Sequence, residues 1–171
     1  MKKYLQNHFQ HVISYDLITK TTFKNVFEIT KITDVYLNIG FPSKINSKRR
    51  NDILLFFYLL TNKTPIIIKK KRKELTGCQI ILRKKNIFVF LEKLIIFILP
   101  KIDPVYLNPT FTNILNLKIT NVSDFFEFKD ELTKFKRIPP INLSLKTNST
   151  NYNELFILLN LACLVKPSLQ K

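Results

Sequence analysis

A chain of 171 residues with 28 lysines and arginines against 12 acidic residues has a formal net charge of +16, an excess that ordinary soluble enzymes do not need and that calls for a polyanionic partner. Apolar residues make up 46% and aromatic residues 12%, which excludes a disordered basic tail, since such a tail lacks the material for a core. The length suits a single domain over 1–171 with a real interior.

Other classes fall away on composition. Cys78 and Cys163 lie far apart, without a CxxC pair or a nearby histidine, so a zinc site would be short of ligands, and both read as buried small apolar residues. The longest apolar runs, Ile53 to Leu60, Leu94 to Leu99 and Leu155 to Val165, are too short or too interrupted for a membrane span of about 20 residues. The start, MKKYLQNHFQHV, has neither a signal-peptide apolar region nor an Arg-rich presequence, so nothing in it argues for import. Heavy use of Lys, Asn, Ile, Phe and Leu with only 2 glycines suits an A+T-biased, organelle-encoded gene.

In chain order, Leu5, Phe9, Val12, Ile13 and Leu17 fall at near-helical intervals and predict an N-terminal helix over Lys2–Thr19. His8 and His11 on it lack the carboxylate or thiolate company of a metal site. Val35, Leu37 and Ile39 alternate with Asp34, Tyr36 and Asn38, a strand with one dry and one wet face, which Gly40 and Pro42 end. A basic connector follows through Lys44, Lys48, Arg49 and Arg50. Asn51 then caps a helix with its body at Ile53–Leu60, apolar nearly all round and so expected to be well buried.

The most telling stretch is Pro65 to Pro100. The apolar run Ile66–Ile68 leads into Lys69, Lys70, Lys71, Arg72 and Lys73, and Gly77 returns the chain to a second run, Ile80–Leu82. This is a strand, a cationic loop and a strand. Like charges in a block repel one another and gain nothing from the fold, so their counter-charge is expected from an external polyanion. A second cluster, Arg83, Lys84 and Lys85, opens a helix with Ile87, Leu91, Leu94, Ile95 and Ile98 at helical spacing until Pro100.

Pro104 and Pro109 make Lys101–Asn113 a loop. Leu115, Leu117 and Ile119, and later Ile141, Leu143 and Leu145, mark two more half-buried strands. The acidic patch between them, Phe125 to Glu131, shows no matched base and reads as a surface turn or short helix. Asn151 and Glu154 have capping-box spacing ahead of a last helix, and 166–171 is a tail.

If the strands share a sheet, its wet positions are Tyr36, Asn38, Asn116, Lys118, Asn142, Ser144 and Lys146, rich in amides and cations. With helices covering the other face, the fold class is α+β, an antiparallel-rich two-layer domain. RNA suits such a surface better than duplex DNA does, because shape and backbone contacts suffice and no recognition helix is evident. A membrane-surface protein would instead carry its cations along an amphipathic helix. An RNA-processing enzyme of an organelle, the alternative within RNA binding, would need convergent Asp, Glu or His residues.

These residues resemble the family of ribosomal protein five of the large subunit, in its bacterial and organellar form. FKNVFEITKITDVYLNIGFP is similar to its first strand region, with Asn38, Ile39 and Gly40 matching its Asn-apolar-Gly ending. LLTNKTP resembles its turn into the second strand, GCQIILR its third strand, and FVFLEKLIIFILPKID its central helix. NILNLKI and INLSLKTNSTNYNELFILLNLA follow its last strands and helix in order.

The resemblance implies a non-enzymatic constituent of an organellar, mitochondrial ribosome that binds large-subunit rRNA, and 5S rRNA where present, in the central protuberance. It implies further neighbours: other ribosomal proteins, a small-subunit head protein across the interface, and peptidyl-site tRNA. Asn38, Lys63, Arg83 and the cations Lys44 to Arg50 match rRNA-facing segments, and Lys69 to Lys73 match the root of a tRNA-facing loop. No cofactor is implied. The loop between Ile68 and Gly77 is roughly ten residues shorter than the family's, the scale of a whole functional loop.

Overall fold

The computed structural model describes residues 4–23, 25–42, 45–69, 75–98, 114–120, 125 and 138–148. The loop expected at Lys101–Asn113, the acidic patch beyond Phe125, the last helix and tail, Cys163, Lys44 and Lys70 to Lys73 lie outside the described residues. Among the described residues five strands form one sheet: β1 (Ile32–Gly40), β2 (Ile66–Lys69), β3 (Leu75–Arg83), β4 (Ile114–Ile119) and β5 (Ile141–Thr147). Their order is β2-β3-β1-β5-β4. β2 and β3 are antiparallel, with Ile66 opposite Gln79 and Ile67 opposite Cys78. Between β1 and β5 the direction also reverses: the Lys31 N–H donates to Asn148 Oδ1 at 2.6 Å and the Thr33 hydroxyl to the Lys146 carbonyl at 3.2 Å. The fold is α+β, as the patterns predict.

The chain packs as two compact units, one of Met1–Asp34, Arg83–Leu115 and Leu145–Lys171, the other of Val35–Leu82 and Asn116–Ser144. In the first, α1 (Tyr4–His8) runs through a π-helical turn at Phe9–Ile13 into α2 (Ser14–Lys20). Phe9, Ile13 and Leu17 recur every four residues, which overshoots a 3.6-residue turn, and one wider turn takes up the excess. Ser14 closes that turn, its N–H and its hydroxyl both donating to the Phe9 carbonyl, the hydroxyl at 2.8 Å. All three residues are buried, whereas Val12, expected on the same stripe, is 45% exposed. A helix α4 (Lys85–Lys93) likewise continues into a π-helical turn, Leu94–Ile98, and buries Ile87, Phe90, Leu91, Leu94 and Ile98. The Phe9 and Phe88 rings meet edge-on at 5.3 Å, and the Leu5 N–H donates to Glu92 Oε1 at 3.1 Å, which places a carboxylate at the positive end of α1.

In the second unit the period-two pattern becomes two faces. Val35, Leu37 and Ile39 of β1, Cys78, Ile80 and Leu82 of β3, Leu117 and Ile119 of β4, and Ile141 and Leu143 of β5 are buried. The residues between them are half-buried or exposed. Helix α3 (Ser47–Thr61) adds Ile53, Phe56, Phe57 and Leu60 to this core, and the Phe56 ring meets Phe125 edge-on at 6.4 Å.

Two expectations about α3 need correction. It begins after Asn46, not Asn51, so Lys48, Arg49 and Arg50 occupy its first turn and are not a connector. Nor is it buried all round: Leu55, Tyr58 and Leu59 are 41–49% exposed. The helix ends at Asn62, which adopts the left-handed conformation (φ 53°) and returns its N–H to the Tyr58 carbonyl at 2.7 Å, a role Asn fills well.

If the face assignment is right, Leu143→Asp, placing a charge at a fully buried position, destabilises the domain by about 4 kcal/mol or more. Lys118→Ala, on the exposed face, changes stability by less than about 0.5 kcal/mol. Denaturant melts of the two variants measure the contrast, and equal losses would refute the assignment.

Candidate nucleic-acid interface

The second unit carries a sheet face built from Tyr36 and Asn38 on β1, Gln79 and Ile81 on β3, Asn116 and Lys118 on β4, and Asn142 and Ser144 on β5. None of these is acidic, and none is buried. Gln79 and Ile81 escape a reading of the sequence because the run GCQIILR hides its alternation behind continuous apolar residues. Neighbouring strands tie this face together: the Ser144 hydroxyl donates to Asn116 Oδ1 at 2.5 Å, and Lys63 Nζ reaches across to the Ile81 carbonyl at 3.5 Å. Lys63 is half-buried, and its ammonium is held to that main-chain carbonyl of β3. Asn38 Oδ1 is buried and has no hydrogen-bond partner among the described residues. Such an orphaned acceptor costs roughly 1–3 kcal/mol until a donor arrives.

The cations around that face occupy strand ends and a helix start. Lys69 ends β2 and is exposed. Lys48 and Arg49 are exposed and Arg50 half-buried in the first turn of α3, which has no acidic residue there. Positive side chains at the positive end of a helix are locally unfavourable, so this turn gains from an anion brought to it.

In the first unit Arg83, Lys84 and Lys85 are exposed at the turn into α4. Arg83 Nε lies 2.7 Å from Asp34 Oδ1, with the arginine side chain 66% and the aspartate 15% exposed. Asp34 therefore orients the guanidinium while leaving most of it open. Lys84 has φ 54° and ψ −128°, so the chain reverses sharply there and turns Lys84 and Lys85 outward. Of the residues expected to meet RNA, the structure places Asn38, Lys63, Lys69, Lys118 and α3's Lys48, Arg49 and Arg50 in the second unit, and Arg83, Lys84 and Lys85 in the first.

Among the described residues no group of three or more His, Cys, Asp or Glu side chains could hold a metal ion, and no helix is long and apolar enough to cross a membrane. A groove of about 570 Å³ in the first unit, lined by Phe9, His11, Tyr15, Ile29, Lys31 and Phe88 among others, contains one histidine and no carboxylate to pair with it.

Set beside known proteins, the chain is 28% identical over 171 aligned residues to the large ribosomal subunit protein uL5m of Reclinomonas americana, an alignment covering 91% of this chain and 93% of that relative. It is 27% identical over 112 residues to the large ribosomal subunit protein uL5 of Polynucleobacter asymbioticus, covering 60% of this chain and 62% of that relative. The uL5 of Polynucleobacter necessarius is 26% identical over the same length. No family model matches the chain.

Cys78 shows how dry the opposite, core face is. Burial pushes its thiol from 9.0 up to about 12, because the thiolate would lose its hydration. The folded pKa is raised, so the stability it contributes is whole below pH 9 and is lost as the pH climbs from 9 toward 12. The melting temperature is expected to fall across that window in wild type and less so in Cys78→Ala. Iodoacetamide at pH 8 should leave Cys78 unmodified until denaturant is added, and labelling of the folded chain would contradict its burial.

Proposed function

Because the chain is of the uL5 type, we propose that it is a structural constituent of the large subunit of a mitochondrial ribosome, binding rRNA and acting in translation. The observation that carries this reading is likeness to uL5m across 93% of that relative's length, together with an acid-free sheet face flanked by cations. Placement in the mitochondrion rests on that relative and on the A+T-biased composition. The finer reading sets the chain in the central protuberance, on large-subunit rRNA and on 5S rRNA where the organelle has one. Its neighbours there are other ribosomal proteins, a small-subunit head protein and peptidyl-site tRNA. Asn38, with its unsatisfied acceptor, takes a donor from RNA, and Lys63, Lys118, Arg83 to Lys85 and the first turn of α3 take phosphates.

Sucrose-gradient fractionation of organelle lysate, probed for this protein, tests the proposal. The protein should travel with the large subunit, and free sedimentation at low salt would overturn the reading. Since phosphate contacts dominate, the logarithm of its affinity for rRNA should fall linearly with the logarithm of salt, with a slope steeper than about −3. A flat response would mean that the cations are not the binding groups.

The block Lys69 to Lys73 has a shorter reach than its family counterpart, each extended residue removed taking away up to about 3.3 Å. We therefore set it on large-subunit rRNA near the loop's root. Replacing all five residues with Ala should reduce incorporation into the large subunit more than it reduces tRNA occupancy of assembled ribosomes. A structure with tRNA bound and Lys70 to Lys73 on its phosphates would refute this.

A further inference from the structure

β2 is apolar where the edge of a sheet is ordinarily guarded. Among the described residues it is the outermost strand and pairs with β3 alone, yet Ile66 is 60% exposed, Ile67 36% and Ile68 42%. Ile66 lies opposite Gln79, on the wet face, and Ile67 opposite the buried Cys78, so the isoleucines reach both faces of the sheet and neither face covers them. Edges are normally blunted by brevity and by lysine. β2 has both, four residues ending in Lys69, but keeps three β-branched apolar side chains in water.

We propose that the outer edge of β2 accepts a strand from another protein: an extended acidic segment with apolar residues at alternate positions, continuing the sheet beyond Ile66–Lys69. Main-chain hydrogen bonds would supply affinity. The incoming apolar positions, all on one face of the added strand, would meet Ile66 and Ile68.

Two other occupants fit less well. RNA gains nothing from isoleucine, which offers phosphate no donor and a base no plane for stacking. A second copy of this chain carries the same net charge of +16, and two such molecules repel one another as they approach. An acidic strand reverses that sign, so the cations exclude a second copy and admit the acidic segment. The net charge of +16 is enough for this preference, even where Lys69 is taken up with its block on rRNA. The inference uses only the edge and its charge and stands apart from the ribosomal reading.

The test uses the full chain and a short peptide alternating glutamate with valine, with an analogue N-methylated at alternate amides, which keeps the side chains but cannot pair as a strand. The acidic peptide should slow hydrogen exchange at the Ile66–Lys69 amides, and the N-methylated analogue should bind at least about tenfold more weakly. Ile66→Thr combined with Ile68→Thr, neutral changes at exposed positions that keep strand propensity, should weaken the peptide by a similar factor with the melting temperature unchanged. Should that variant fail to fold, the comparison of the two peptides on wild type still decides. Equal binding of the two peptides would reduce the effect to charge attraction and overturn the proposal. So would oligouridylate protecting the same amides as strongly, which would make the edge an RNA surface. Protection that grows with protein concentration alone, with a dimer in sedimentation, would overturn it in favour of a second copy.

Discussion

A side chain at position 77 would have no room. A Cβ built there lies 2.4 Å from the Ile39 carbonyl oxygen and 3.4 Å from the Gly40 Cα, both backbone atoms that cannot swing aside. β3 therefore meets the end of β1 at van der Waals distance only because residue 77 is glycine. The approach is secured one step on, where the Phe41 N–H donates to the Thr76 carbonyl at 2.8 Å. With that point held, the parity of β3 follows. Cys78, Ile80 and Leu82 turn to the core, while Gln79 and Ile81 turn to the wet face beside Asn38, two residues from the contact. A slip by one residue would invert every one of them. The same anchor sets where β2 pairs and hence where the basic loop leaves the sheet.

Charge is the second constraint, and it pulls against the first. A net +16 on 171 residues repels itself in any compact state, and the core must outweigh that repulsion in the free protein. Among the described residues most cations sit where this cost is limited, at strand ends, at the turn into α4 and in the first turn of α3, although Lys93 is buried within α4. Arg83 is paired with Asp34. A polyanion that binds only the folded chain then stabilises it by mass action, which makes assembly and stability one process for such a protein.

Much of this was legible in advance. Period-two alternation identified the inward residues of β1, β4 and β5, because those strands have one dry face and one wet face and therefore announce their orientation. The N-terminal helix was legible as an element, but its π-helical turn was not. Apolar residues at intervals of four fit an ordinary helix nearly as well, and it is the Ser14 hydroxyl on the Phe9 carbonyl that accompanies the wider turn. The start of α3 was misplaced since Asn46 and Asn51 are equally plausible caps, and Lys-Arg-Arg in a first turn runs against the helix dipole. The exposure of Ile66–Ile68 was invisible for a different reason: an apolar run reads the same at the centre of a sheet and at its edge, and strand order is a long-range property. At the candidate interface the cations were named from charge clusters, from strand alternation for Lys118 and from the family resemblance for Lys63, but the unsatisfied Asn38 oxygen and the contact of Lys63 with Ile81 depend on which strands are neighbours.

The kind of cation decides what the interface can read. Of the 28 basic residues only five are arginines, Arg49, Arg50, Arg72, Arg83 and Arg137. A lysine is a point charge on a flexible stem and lacks the planar fork that addresses a guanine edge or a phosphate in two places at once. Lysines and asparagines on such a face suit contacts that follow the shape and charge of a polyanion's backbone and read little of its sequence. Such contacts tolerate small displacements, since an ammonium can reach any phosphate within the sweep of its stem. That tolerance is compatible with a chain that keeps about a quarter of the residues of its relatives, provided that the parity of the strands is kept. Ile, Leu and Phe on the dry side and Asn and Lys on the wet side satisfy that demand, and they are the residues that a compositionally biased gene has in greatest supply. Arg83 is the exception: its guanidinium is oriented by Asp34, so an anion arriving there would meet a donor held in one place, whereas a lysine would move to meet it.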